Sequence, residues 1–171
     1  LLTNFNHLPG DAILSDRPSI LNMTVPDFSA EMTGDMPFQL SSYQGKNVVL
    51  YFYPKDNTPG CTTESMQFRD LHPEFAAANT VVFGISRDSL RSHVGFKTKL
   101  ELPFELISDG DEKVCTMFDV IVMKSMYGKK VRGVERSTFV IDVTGKIVKE
   151  WRGVKVPGHV DEVLELVKNL S

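Results

Sequence analysis

Cysteine is scarce in this chain, with 2 among 171 residues, Cys61 and Cys115. Two thiols make at most one internal disulfide, which excludes the disulfide scaffold of a small secreted domain. They cannot build a four-cysteine zinc site. The 4 histidines, His7, His72, His93 and His159, show no metal-ligand spacing to them, so no metal is expected. Positive charge is not in excess either: 19 Lys and Arg face 22 Asp and Glu, for a net charge of -3. That balance gives no electrostatic reason to expect nucleic acid or an anionic membrane as the main partner. No apolar run is long enough to span a bilayer, and there is no repeat or low-complexity tract. Residues 1–24 lack the charged start, apolar stretch and small-residue cleavage site of a signal peptide. They are left as an unassigned N-terminal extension, and residues 25–171 are expected to form one domain. The sparing use of cysteine fits a reducing compartment, so a cytoplasmic location is expected.

What is present is ordinary globular material, 42% hydrophobic and 24% charged. Residues 37–40 read as a short strand and 41–46 as a turn or a single helical turn. The run Val48-Val49-Leu50-Tyr51-Phe52-Tyr53 is a strand buried on both faces, at the centre of a sheet. Pro54 stops it. A helix follows, with Thr58 as N-cap and Pro59 at its first position. Phe68, Leu71, Phe75 and Ala78 share one face of that helix. Pro73 predicts a kink or break near His72, because an interior proline costs about 3 kcal/mol. A strand at 81–86, a helix capped by Asp88 and ended by Pro103, and a strand at 104–107 come next. A short helix over 112–118 carries Cys115. The basic stretch 124–132 reads as a solvated loop, with a reductant-docking role as the alternative. A strand at 137–142, a turn at 143–146 and a return strand at 147–151 form a hairpin. Val160, Val163, Leu164 and Val167 line one face of a last helix.

The alternation of strands and helices predicts an α/β fold with parallel strands, and the hairpin adds an antiparallel pair. Active sites of such sheets lie beyond the carboxyl ends of the parallel strands, where residues 54–61 fall. Cys61 is in the first turn of its helix, among backbone N–H groups that have no helical partner. A helix N-terminus and a nearby cation both favour a thiolate, so Cys61 is the candidate nucleophile. Gly60 lets a small molecule approach the backbone, Thr58 offers a hydroxyl, and Pro54 can shield the sulfur. Arg136 supplies the cation if the strand that follows it pairs with the central strand. Glu64, one turn past Cys61, can orient that arginine. Cys115 is read as a packed core thiol beside Val114 and Phe118. His93 is read as a helix-surface or packing residue rather than a base.

The stretch from Tyr51 through Pro54-Lys55-Asp56-Asn57-Thr58-Pro59-Gly60-Cys61 to Glu64 resembles the active-site signature of peroxiredoxins, with Pro-x-x-x-Thr-x-x-Cys complete. Three further stretches resemble the bacterioferritin-comigratory, or peroxiredoxin Q, branch. They are Ser86-Arg87-Asp88-Ser89 with His93, Leu102-Pro103-Phe104 with Ser108-Asp109, and Glu135-Arg136-Ser137-Thr138-Phe139. The resemblance spans about residues 25 to 170. It implies a thioredoxin-like mixed sheet flanked by helices, and a peroxidatic Cys61 surrounded by Pro54, Thr58 and Arg136. It implies attack on a peroxide to give a sulfenic acid, with no metal, haem or flavin. Thioredoxin, glutaredoxin or glutathione is the implied reductant, and the protein is expected to be a monomer or homodimer. The branch often carries a resolving cysteine five residues after the first, where this chain has Met66. A one-cysteine cycle with an external thiol is therefore expected. A two-cysteine cycle through Cys115, within or between chains, and a non-enzymatic redox sensor are the alternatives.

Overall fold

The apolar run around Leu50 forms a strand with all of its residues buried, Asn47–Phe52. The structure, a computed structural model, describes residues 18–170. In chain order the elements are β1 (Ser29–Met32), β2 (Phe38–Gln39), a 3-10 turn (Leu40–Tyr43), β3 (Asn47–Phe52), α1 (Pro59–Ala77), β4 (Thr80–Ser86) and α2 (Leu90–Leu100). Then come β5 (Leu106–Ser108), α3 (Lys113–Met117), β6 (Ile121–Met126), β7 (Lys129–Val134), β8 (Ser137–Ile141), β9 (Ile147–Arg152) and α4 (His159–Lys168). Seven strands form one sheet in the order β2-β1-β5-β4-β3-β8-β9. β3, β4 and β5 are parallel neighbours, joined by crossover helices α1 and α2. β8 runs antiparallel to β3 and pairs Ser137 with Phe52, so the residue before β8 arrives at the carboxyl end of β3.

Side chains alternate across a strand, and β3 therefore feeds two cores. Val48, Leu50 and Phe52 point to one, with Phe139, Ile107, Val114, Cys115 and Phe118. Val49, Tyr51 and the following Tyr53 point to the other, with Cys61, Phe68 and Phe75 of α1, Phe96 of α2 and Val160 of α4. Gly84 of β4 matters to the second core. A Cβ there would stand 2.7 Å from Tyr51 Cζ. Its absence lets the Tyr51 ring lie across β4 and its hydroxyl reach Ser65 Oγ at 2.9 Å.

Four local expectations are corrected. α1 runs unbroken through Pro73. Phe68 and Phe75, on either side of the proline, are fully buried, and that packing outweighs the local cost. α2 is capped by Ser89, whose side chain accepts from Ser92 N–H. Asp88 is occupied elsewhere, accepting from Asp56 N–H and Ser86 Oγ. β5 begins at Leu106 rather than at residue 104, because pairing with β4 starts at Gly84 and Leu106. The basic stretch 124–132 is not a loop. It is most of the β6–β7 hairpin, which closes through Tyr127-Gly128 between Met126 and Lys129.

The described residues before Val25 join the packing: Ile20 is fully buried and Thr24 bridges Lys146. The rest of the expected N-terminal extension, residues 1–17, lies outside the described residues. Among the described residues no helix is long and apolar enough to cross a membrane.

Candidate active site

The loop from Pro54 to Thr58 leaves the carboxyl end of β3 and is anchored on three sides. Tyr53 Oη donates to Asp56 Oδ1 at 2.7 Å. Asp56 N–H donates to Asp88 Oδ2 at 2.9 Å. Asp56 Oδ2 lies 2.8 Å from both His93 Nδ1 and Ser92 Oγ. His93 is fully buried, and its Nε2 faces the Ile107 carbonyl at 2.9 Å. It is a packing residue, not a helix-surface one. Burial works against the Asp56 carboxylate, but the His93 contact holds its pKa below the ordinary value. The sequence reading missed this anchor. Its only trace in the sequence is the Ser86-Arg87-Asp88-Ser89 stretch with His93, which nothing there ties to the loop. Asp56, Asp88 and His93 bring ligand-type atoms within 4.8 Å of one another. Those atoms are engaged with each other and with neighbouring hydroxyl and amide groups, as a loop clamp requires.

α1 begins as its sequence predicts, with Thr58 at the cap and Pro59 at the first position. The Thr58 side chain does not cap the helix, however. Its Oγ1 donates to the Lys55 carbonyl at 2.8 Å. The hydroxyl proton is thus committed, and the oxygen's lone pairs remain for a donor. Cys61, at the third helical position, is 1% exposed. Pro54 is half-buried at the base of the loop.

Arg136 comes from the other side of β3, one residue before β8, as the strand order requires. Its guanidinium is shared between two groups of α1. Nη1 donates to Glu64 Oε1 at 2.8 Å, and Nη2 donates to Cys61 Sγ at 3.4 Å. Gly60 makes room for this approach, since a Cβ there would stand 3.1 Å from Nη2. The open side of Gly60 is therefore filled by Arg136. Burial disfavours the Arg136 charge, but Glu64 and Cys61 more than compensate and raise its pKa above the ordinary value. Glu64 is fully buried, and burial pushes its pKa up to about 7 against the pull of Arg136. Its second oxygen, Oε2, has no hydrogen-bond partner among the described residues.

Cys115 is not brought to this site. It is fully buried in the core on the opposite face of the sheet. Its N–H donates to Asp109 Oδ2 at 2.7 Å, and burial and then the Asp109 charge push its thiol pKa far up. Met66 is partly exposed on α1.

Residues 21–150 match the AhpC/TSA family. The chain belongs to that family. Among curated relatives, peroxiredoxin Bcp of Bacillus subtilis is 47% identical over 151 residues, covering 88% of this chain and 96% of the relative. Among solved structures, a cysteine-to-serine variant of Xylella fastidiosa peroxiredoxin Q superimposes with a TM-score of 0.83 at 46% identity, covering 86% of this chain and 94% of that one. A bacterioferritin comigratory protein of Xanthomonas campestris, studied for alkyl peroxide reduction, gives a TM-score of 0.79 at 48% identity, covering 82% and 90%. This peroxiredoxin has the thioredoxin-like fold of its relatives and is a thiol-dependent peroxidase of the Bcp and peroxiredoxin Q branch. Its substrates are peroxides and its co-substrates are thiol reductants.

Proposed function

We propose that Cys61 is the peroxidatic nucleophile and that Thr58, Arg136 and Pro54 form the rest of the reacting site. The observation that carries this is the guanidinium of Arg136 donating to Cys61 Sγ at 3.4 Å in the first turn of α1. The sulfur attacks one peroxide oxygen, the O–O bond breaks, and the departing oxygen leaves as hydroxide or alkoxide and takes a proton. The sulfur is left as a sulfenic acid. Arg136 and the free N–H groups of the first turn face the charge that builds on the oxygens. Thr58 Oγ1, with its own proton held by Lys55, accepts from the peroxide O–H. Pro54 keeps bulk water off the sulfur. Glu64 and Gly60 act through Arg136, one by hydrogen bond and the other by leaving space. Hydrogen peroxide and organic hydroperoxides are the substrates.

The cycle uses one cysteine, with thioredoxin, glutaredoxin or glutathione returning the sulfenic acid to the thiol. The burial of Cys115 across the sheet supports an external thiol. The sparing use of cysteine, 2 among 171 residues, supports a cytoplasmic location. Stoppedflow peroxide reduction by wild type and Cys61→Ser tests the assignment. Loss of all turnover in the variant is expected, and residual turnover above about 1% of wild type would move the nucleophile elsewhere.

A further inference from the structure

We propose that the β6–β7 hairpin is the docking surface for the reductant, a protein dithiol whose thiol is surrounded by acidic residues. The proposal rests on the external-thiol cycle above.

The hairpin forms a two-stranded sheet of its own, packed against the core through Val122 and Val134 and open to solvent on its other side. It carries four cations, Lys124, Lys129, Lys130 and Arg132, and no acid between Ile121 and Val134. The chain as a whole is at -3, so positive charge is gathered here against a negative remainder. Arg132 is paired with Glu112 and Lys124 donates to the Val134 carbonyl. Lys129 and Lys130 are exposed, with no carboxylate partner among the described residues.

The same hairpin exposes Met123 and Met126 at 50%, Val131 at 38% and Tyr127 at 99%. Tyr127 is the informative one. It occupies the first central position of the turn with φ of 52°, followed by Gly128 at 78°. Asparagine or aspartate suits that conformation better. A ring there gains nothing from folding, since it is 99% exposed, and tyrosine is among the residues enriched at contact hot spots.

Position ties the surface to the chemistry. β7 ends at Val134, two residues before Arg136. Lys124 is near enough to the centre for both Arg136 and Cys61 to act on it. A partner seated on the hairpin stands beside the mouth of the site. There the Cys61 sulfenic acid condenses with one partner thiol, releasing water and forming a mixed disulfide. The partner's second thiol then attacks its own sulfur, closes the partner's disulfide and returns Cys61 as a thiol. With Cys61 1% exposed, the first turn of α1 must open for the first of these steps.

The test compares peroxide turnover driven by a negatively charged thioredoxin with turnover driven by dithiothreitol. The variants are Lys129→Glu with Lys130→Glu, and Tyr127→Asn, which suits the turn. Charge reversal should raise the KM for thioredoxin about 10-fold or more at low salt, and Tyr127→Asn several-fold. Dithiothreitol-driven rates should stay within about 2-fold of wild type, because a small neutral thiol needs no docking surface. An unchanged thioredoxin KM overturns the proposal, and so does an equal loss with both reductants. Wild type that turns over with dithiothreitol alone also overturns it while the peroxidase assignment stands. No turnover with either reductant ends that assignment itself. Loss of a dimer in the variants, with thioredoxin kinetics unchanged, would give the hairpin to a second copy of the chain and overturn the proposal.

Discussion

Cys61 and Cys115 lie on opposite faces of one seven-stranded sheet, Cys61 with Tyr51 and Phe68, Cys115 with Phe118 and Phe139. The buried strand β3 runs between the two clusters, so a bond between these sulfurs within one chain would require at least one cysteine to leave its core. Cys115→Ser should therefore keep peroxide turnover within about 2-fold of wild type, since the change is remote from the reacting sulfur. Peptide mapping after one equivalent of peroxide should find modification at Cys61 and no Cys61–Cys115 link. Such a link in the monomer would establish a two-cysteine cycle.

The fork of Arg136 matters as much as its charge. One nitrogen serves Glu64 and another serves Cys61. Lysine carries a compact ammonium in place of the planar fork and loses the two separate, pre-aligned donors. Arg136→Lys should lower kcat/KM for peroxide by about 100-fold, the scale of losing one aligned donor. Competitive peroxide kinetics measure this, and a value near wild type would show that any cation suffices.

Much of the site was legible from residue types alone. The N-terminal turn at Cys61 follows from Thr58-Pro59-Gly60, and the approach of Arg136 follows from placing strand 137–142 beside the central strand. What escaped were interactions set by tertiary contact. Asp88 carries the marks of a helix cap, yet the loop at Asp56 claims its carboxylate, and Ser89 caps instead. Pro73 should break a helix that stands alone, but the sheet holds α1 through Phe68 and Phe75. The β6–β7 hairpin hid because its strands are charged and its turn has Tyr127 where asparagine would have signalled it. The role of Gly60 is half legible. Open space was expected at the backbone, and the structure fills it with Arg136.

Glu64 should give the folded protein a measurable pH dependence. Its pKa is raised from 4.5 to about 7, chiefly by burial. Between those values the native state holds a proton that the unfolded chain has lost, so stability falls as pH rises through the window. The contribution is at most about 3 kcal/mol. Urea midpoints of wild type should therefore fall relative to Glu64→Gln from pH 4.5 to 7 and run parallel to it above. Curves parallel throughout would mean that Glu64 titrates normally.

Gly60 sets stability against activity. Alanine is the better helix former by about 1 kcal/mol in a helix interior, and less is gained near the end. The added Cβ would stand 3.1 Å from Arg136 Nη2, so the guanidinium must give way by a few tenths of an ångström. The backbone here is helical, so the substitution adds no strain of its own. Gly60→Ala should leave the melting temperature equal or slightly higher. A small displacement of the donor beside the sulfur should still lower kcat/KM for peroxide about 10-fold. Arg136 is also tied to Glu64, which limits how far it can retreat and still reach Cys61. Calorimetry and peroxide kinetics on the same preparation separate the two effects. A loss of stability with unchanged kinetics would show that the helix start, rather than Arg136, needs the glycine.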